Sequence, residues 1–137
     1  MPVVVDTSAV IAMYNRGDRW HEATVRTLSR ERSAVYVPQS VVTESGLRAS
    51  ASWTSDRVAM LIRGITSSAW RTECLTDEDL ERTAEILDAY RDSRIDLVDA
   101  SVVAVAERLR ATRIYTLDRR DFSIVRPRHI GAFELLP

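Results

Sequence analysis

The sequence of 137 residues contains no lysine and only one cysteine, Cys74. A single cysteine excludes an internal disulfide and a cysteine metal site, and it suits a reducing compartment such as the cytoplasm. All 19 basic residues are arginine. Arginine favours phosphate contacts, although codon bias in a GC-rich genome produces the same skew. Because the net charge is −1, any attraction to a polyanion has to be local.

The sequence also lacks long apolar runs and glycine-rich loops. No apolar run reaches membrane-spanning length, and the first strand lies directly at the start, so we expect neither a membrane segment nor a signal peptide. We find no glycine-rich phosphate loop and no Gly-x-Ser-x-Gly motif. The composition, with 45% hydrophobic and 28% charged residues, is that of an ordinary globular domain.

Short β-branched runs alternate with helical stretches along the chain. The predicted strands are Val3–Val5, Val35–Val37, Trp70–Leu75, Arg113–Leu117 and Ala132–Leu135. The predicted helices are Ala9–Tyr14, Arg19–Arg32, Ser40–Ser50, Trp53–Ser67, Thr76–Asp92 and Asp96–Ala111. The small, polar residues Ala49–Ser55 predict a mobile loop. Strands that alternate with helices predict an α/β protein, with a parallel sheet covered by helices.

Two of the predicted strands end at an aspartate. Asp6 follows the run of three valines, and Asp118 follows the strand that begins at Arg113. If these strands are parallel neighbours, both carboxylates open onto the edge of the sheet where α/β proteins bind ligands. A simpler interpretation of Asp6 remains open, because aspartate is also a common N-cap of a helix.

Two further acids lie on helix faces that are otherwise apolar. Glu44 comes three residues after Val41 and three before Leu47, so it shares their face. Asp99 heads the apolar face of the last long helix. Each has an alternative: Glu44 can turn to solvent, and Asp99 occupies the third helical position after a predicted Asp96 cap, where the helix dipole favours an acid.

Four clustered carboxylates would repel one another strongly unless a cation neutralised them. Oxygen ligands of this kind prefer Mg²⁺, with Mn²⁺ as a substitute. Such metal sites activate water and stabilise an in-line displacement at phosphorus. Position 8 is serine rather than a second aspartate, which argues against a covalent aspartyl mechanism. The acids therefore predict metal-dependent phosphodiester chemistry.

Four segments together resemble the PIN domain, and more narrowly the VapC-type toxins of bacterial toxin–antitoxin pairs. They are Val-Val-Val-Asp-Thr-Ser at residues 3–8, the helix acid Glu44, Leu-Val-Asp-Ala-Ser at 97–101 and Thr-Leu-Asp-Arg-Arg-Asp-Phe at 116–122. The resemblance implies a single PIN domain over residues 1–137. It implies a three-layer α/β/α fold with a central, mainly parallel sheet of four to five strands. The implied activity is a Mg²⁺-dependent endoribonuclease, usually a homodimer, that a cognate VapB-type antitoxin inhibits.

The resemblance also assigns roles by position. It implies that the metal-binding catalytic acids are Asp6, Glu44, Asp99 and Asp118, and that nearby hydroxyls of Ser8 and Thr116 orient them. Asp96 lies close to Asp99 in sequence. Asp96 could replace Asp99 as the ligand, but we favour Asp99 because Ala-Ser-Val-Val follows it, as in the family.

Arginines beside the acids are candidates for holding RNA phosphates. Arg119 and Arg120 follow Asp118, and Arg94 precedes the helix of Asp99; phosphate contacts of this kind position RNA without reading its sequence. Solvated loop arginines would look the same. Asp121 is interpreted as a turn residue or an arginine partner, and Trp53 either stacks on a base or packs on protein.

Three functional hypotheses follow from these observations. The first is a toxin ribonuclease, the second is a PIN nuclease in RNA processing or DNA repair, and the third is a non-catalytic PIN dimer. The complete set of acids disfavours the third hypothesis. A small antitoxin reading frame just upstream would separate the first from the second.

Overall fold

The computed structural model of the protein describes all 137 residues, in five strands and seven helices. The strands are β1 (Val3–Val5), β2 (Val35–Pro38), β3 (Arg71–Glu73), β4 (Arg113–Tyr115) and β5 (Glu134–Leu136). The helices are α1 (Thr7–Tyr14), α2 (His21–Ser29), α3 (Gln39–Ser50), α4 (Ser55–Ser67), α5 (Asp77–Ala89), α6 (Leu97–Arg108) and α7 (Arg119–Ile124). None of these helices combines the length and the apolar character needed to span a lipid bilayer.

All five strands form one parallel sheet in the order β3-β2-β1-β4-β5. In its centre, Val3 is aligned with Val35 on one side and Arg113 on the other. All three valines of β1 are fully buried, as expected for a parallel strand that is covered on both faces. The predicted parallel sheet in a three-layer α/β/α fold is therefore confirmed.

The order of the strands reverses between β1 and β4. From β1 the chain moves outward to β2 and β3, and it then crosses back to β4 and β5 on the other side. Open α/β sheets bind their ligands at such a reversal, in the crevice beyond the carboxyl ends of the strands. Asp6 directly follows β1, and Thr116 directly follows β4.

Ion pairs join α5 to α6, which also packs on β1 and β2. Arg82 Nε lies 2.8 Å from Glu107 Oε1. Arg108 Nε lies 3.0 Å from each carboxylate oxygen of Asp79, a residue that is only 3% exposed. Since a buried carboxylate is costly without a partner, these pairs fix the helix that carries Asp99.

The structure corrects several predicted boundaries. Helix α7 was not predicted, and β4 ends at Tyr115 instead of Leu117. The predicted mobile loop at residues 49–55 is shorter in the structure, where residues 51–54 connect α3 to α4, and its mobility stays a prediction. Its first two residues belong to α3, and a hydrogen bond of 2.7 Å from Trp53 N to Ala49 O continues the turn. The Trp53 side chain packs against the core.

Candidate active site

Asp6 lies at the junction of β1 and α1 and is only 5% exposed. It is the N-cap of α1, and its Oδ1 accepts a hydrogen bond of 3.1 Å from Ala9 N. The capping interpretation of Asp6 is therefore confirmed. Asp6 does more than cap the helix, because both of its carboxylate oxygens also accept hydrogen bonds from side-chain hydroxyl groups.

Two hydroxyl groups connect Asp6 to the chain beyond β4. Ser8 Oγ donates to Asp6 Oδ1 at 2.7 Å and accepts from Leu117 N at 2.9 Å. Thr116 Oγ1 donates to Asp6 Oδ2 and accepts from Asp118 N at 2.9 Å. Each hydroxyl thus uses its proton on the carboxylate and a lone pair on a backbone N–H group. This pairing ties the backbone at Asp118 to the carboxylate of Asp6.

Burial raises the pKa of Asp6 from 3.8 to about 6. The hydrogen bonds from Thr116 and Ser8 act in the opposite direction, because they stabilise the ionised form. The negative charge of Asp118 raises the pKa further. Asp118 is therefore close enough for its charge to act on the buried acid at the switch point.

Asp96 and Asp99 form a capping box at the start of α6. Asp99 N donates to Asp96 Oδ1 at 2.9 Å, and Asp96 N donates to Asp99 Oδ2 at 3.3 Å. The predicted cap at Asp96 is confirmed. Burial raises the pKa of Asp99 to about 7, and the charges of Asp96 and Asp121 raise it in turn.

Asp118 and Asp121 lie one helical turn apart at the start of α7, where Asp118 is the N-cap residue. The pKa of Asp121 is raised by burial and then by the charge of Asp118, while Arg94 and Arg120 act to lower it. Asp121 thus feels the charge of two arginines, but no ion pair joins it to either one, and it lies in α7 instead of a turn. The sequence interpretation nevertheless missed that the charge of Asp121 acts on Asp99. The three-residue spacing from Asp118 was the available signal.

Glu44 and Arg119 have other partners in the structure. The Glu44 carboxylate lies 3.3 Å from Arg48 of the next helical turn. The apolar face that we predicted for Glu44 is only half present, because Val41 is buried but Leu47 is 69% exposed. The guanidinium of Arg119 donates to Leu135 O at 2.9 Å. Metal binding by Glu44 and RNA binding by Arg119 stay predictions.

The two histidines make hydrogen bonds to backbone carbonyl groups and lie outside the acid site. His21 Nδ1 lies 2.8 Å from Ala12 O, and His129 Nε2 lies 2.6 Å from Ala111 O. Neither bond involves the carboxylates. Any metal at this edge of the sheet would therefore have oxygen ligands.

The donor chemistry of this edge fits a hard divalent cation. Asp6, Asp99 and Asp121 all have raised pKa values, and neighbouring carboxylates contribute to each increase. A cation would relieve this repulsion. In the present arrangement, no three acidic, histidine or cysteine side chains lie together closely enough to hold a metal. Asp118 is exposed and Asp99 is partly exposed, so binding would have to draw these side chains inward.

The comparison with known proteins decides the family of this fold and site. The sequence pattern of the PIN domain matches residues 3–126. The chain is a PIN domain. It is 31% identical to ribonuclease VapC26 of Mycobacterium tuberculosis over 135 residues, which cover 98% of this chain and all of that protein. The suspected likeness to VapC-type toxins is thereby confirmed.

Solved structures share the architecture of this PIN domain. The Mycobacterium tuberculosis toxin VapC20, which cleaves the sarcin–ricin loop, superposes with a TM-score of 0.80 at 22% identity, covering 86% of this chain and 91% of that one. VapBC2 of Rickettsia felis, bound to a DNA fragment from its promoter, gives a TM-score of 0.73 at 14% identity with full coverage of both chains. At these identities the likeness shows a common fold.

Proposed function

We propose that this PIN domain is a VapC-type toxin, a Mg²⁺-dependent endoribonuclease that hydrolyses phosphodiester bonds in RNA. The observation that carries the proposal is the set of acids at the switch point. The buried Asp6 is connected through Thr116 to the backbone of Asp118, and the charge of Asp121 acts on Asp99. The identity to ribonuclease VapC26 supports the same activity.

The residues of the site would divide the work as follows. Asp6, Asp99 and Asp118 would hold the cation, with Glu44 as a further ligand if its side chain leaves Arg48. When bound, the cation supplies Lewis-acid chemistry that activates water and offsets charge at phosphorus. Ser8 and Thr116 keep Asp6 oriented, because both hydroxyl protons point at its carboxylate. Arg94 and Arg120 lie beside Asp121 and would position RNA phosphates.

The proposal includes the partners of a toxin. A VapB-type antitoxin would bind this protein, since several proteins of the same fold are toxin–antitoxin complexes. We further propose that the toxin is a homodimer and acts on RNA in the cytoplasm. Leu47 on α3 and Met60 on α4 are 69% and 67% exposed, and this apolar surface supports a protein contact there. Light scattering of the purified protein, alone and with the antitoxin, tests both assemblies.

The function is tested with Asp6→Asn and a matched control, Asp88→Asn. Asp6→Asn keeps the size of the side chain but removes one charge from the metal site. Asp88 is exposed on α5 and takes part in none of the hydrogen bonds of the site. We expect the wild type and Asp88→Asn to cleave RNA in Mg²⁺, to lose cleavage in EDTA, and to arrest growth when induced alone. Asp6→Asn should neither cleave RNA nor arrest growth, and it should keep the wild-type circular dichroism spectrum. Full toxicity of Asp6→Asn would show that the proposed site is wrong.

A further inference from the structure

A cavity of about 320 Å³ opens beside the acids, between α1, the start of α2 and the end of α3. We name it the Trp20 cavity; its lining includes Ser8, Asn15, Asp18, Trp20, Trp53 and Leu117. Ser8 and Leu117 are bonded to each other at 2.9 Å in the hydroxyl connection of Asp6. The cavity therefore adjoins the candidate catalytic acid, and its volume lies in the range of small-ligand sites.

Two tryptophans give the Trp20 cavity aromatic walls. Trp20 is 41% exposed, although burial of a ring this large would be favourable. Trp53 is half-buried, and the guanidinium of Arg57 lies 4.4 Å from its ring centroid. The guanidinium of Arg19 lies 5.2 Å from the ring of Trp20. Aromatic rings and arginine planes are the surfaces on which proteins stack unpaired nucleobases.

Two polar side chains of the cavity, Asn15 and Asp18, accept hydrogen bonds from nearby backbone N–H groups. Asn15 Oδ1 accepts from Gly17 N at 3.0 Å, and Asp18 Oδ1 accepts from Trp20 N at 2.8 Å. These bonds leave Asn15 Nδ2 as a donor and Asp18 Oδ2 as an acceptor. A carboxylate oxygen accepts from the exocyclic amino group of adenine or cytosine, whereas uracil has a carbonyl oxygen at that position.

Arginines surround the cavity in a protein whose net charge is −1. Arg48, which is paired with Glu44, belongs to its lining, and Arg19 stacks at Trp20. Arg16 and Arg57 line an adjoining groove of about 670 Å³, which shares Trp53 with the Trp20 cavity. This local positive charge suits a ligand that carries phosphates on either side of its base. It suits a peptide of ordinary composition less well.

We propose that the Trp20 cavity is a nucleobase subsite, which holds one unpaired base of the RNA next to the phosphate that is cleaved. Trp20 stacks on the base, and Asp18 accepts from its amino group. The surrounding arginines contact the adjacent phosphates. The subsite therefore prefers adenine or cytosine to uracil. The proposal rests on RNA being the substrate, but binding to the subsite does not require cleavage.

Binding of RNA hexamers in EDTA tests the subsite separately from catalysis. Fluorescently labelled oligo(C) and oligo(U) are titrated with the protein at low salt. These two oligonucleotides are compared because their pyrimidine bases match in size. We expect the wild type to bind oligo(C) more tightly. Trp20→Ala should weaken binding of both by about tenfold, and Trp20→Phe should restore most of the affinity. Leu80→Ala, a similarly exposed apolar position on α5, should behave as the wild type.

Asp18→Asn supplies a readout that a purely structural role would not change. Asparagine keeps the oxygen that accepts from Trp20 N, but it replaces the second acceptor with a donor. We expect the preference to shift from oligo(C) to oligo(U). Wild-type affinity of Trp20→Ala together with an unchanged preference in Asp18→Asn would overturn the proposal. Unchanged RNA affinity with lost antitoxin binding in Trp20→Ala would overturn it too, because the cavity would then serve the protein partner. If the RNA hexamers bind as expected but the protein cleaves no RNA in Mg²⁺, the subsite would be supported and the proposed ribonuclease activity would be refuted.

Discussion

Replacement of Thr116 by valine tests the hydroxyl connection between Asp6 and Asp118. Thr116 is fully buried, and its hydroxyl donates to Asp6 and accepts from Asp118 N. Valine keeps the shape but removes both bonds. Because a hydrogen bond to a charged group contributes about 1.5–3 kcal/mol, we expect Thr116→Val to lower the free energy of unfolding by about 2 kcal/mol at neutral pH.

The pH dependence of this loss identifies its cause. Among the hydrogen bonds that lower the pKa of Asp6, the one from Thr116 has the largest effect. Its removal raises a pKa that is already about 6. In the variant, the folded protein keeps the Asp6 proton to higher pH than the wild type does, while the unfolded chain is unchanged. The loss in free energy of unfolding should therefore be greater well above this pKa than below it. Urea unfolding curves recorded on both sides of the pKa measure the difference.

Thr24→Val is the matched control for Thr116→Val. Thr24 is also fully buried, but its hydroxyl has no hydrogen-bond partner. Removal of an unpaired buried hydroxyl should leave stability unchanged or improve it. RNA cleavage should fall by about 10- to 100-fold in Thr116→Val alone, as is typical when a group that orients metal ligands is lost. Equal losses of stability in both variants, or a loss independent of pH, would refute the reasoning.

Three further predictions concern the acids and the core. Without metal, the free energy of unfolding should fall by about 3 kcal/mol as the pH rises from about 4 to 6, because the pKa of Asp6 is raised by roughly two units in the folded state. Mg²⁺ should reduce this fall. A flat pH profile in urea unfolding would contradict the prediction. Asp99→Asn should abolish cleavage with little change in melting temperature, whereas Asp96→Asn should have a small effect because asparagine caps helices well; the reverse ranking would move the ligand to Asp96. Gly64→Ala should lower stability by about 1–3 kcal/mol, since its Cβ would lie 2.5 Å from the Tyr14 ring; an unchanged melting curve would show that the ring moves freely.

The sequence was sufficient where local pattern and tertiary environment agree. The run Val3–Val5 predicts a buried central strand, and it is one. Thr76 and Asp96 predict helix starts, and the structure has a capping box at each. The same local signals placed Asp6 and Asp99 correctly at the ends of their elements, because a strand end or a cap depends on few neighbours.

Other features depend on contacts that are distant in sequence. Helix α7 has six residues and buries only Phe122, so it is too short to show a periodic pattern. Leu47 is apolar but exposed, so the prediction that Glu44 shares a buried apolar face with it was wrong. Asp121 is 22 residues from Asp99 in the chain, and only the folded structure brings its charge close enough to act on Asp99. The Trp20 cavity likewise unites residues from α1, α2, α3 and the segment after β4.

The central position of β1 and the peripheral position of α7 give the two halves of the candidate site unequal protection against local unfolding. Asp6 follows a strand that is paired on both sides, whereas Asp118 and Asp121 belong to a short helix beside the edge strand β5. Segments with few buried contacts open at lower free energy than the global transition. Amide hydrogen exchange should therefore be faster in α7 and β5 than in β1. Local unfolding of α7 and β5 alone would separate Asp118 and Asp121 from Asp6. The candidate site would then be incomplete while the rest of the molecule stays folded.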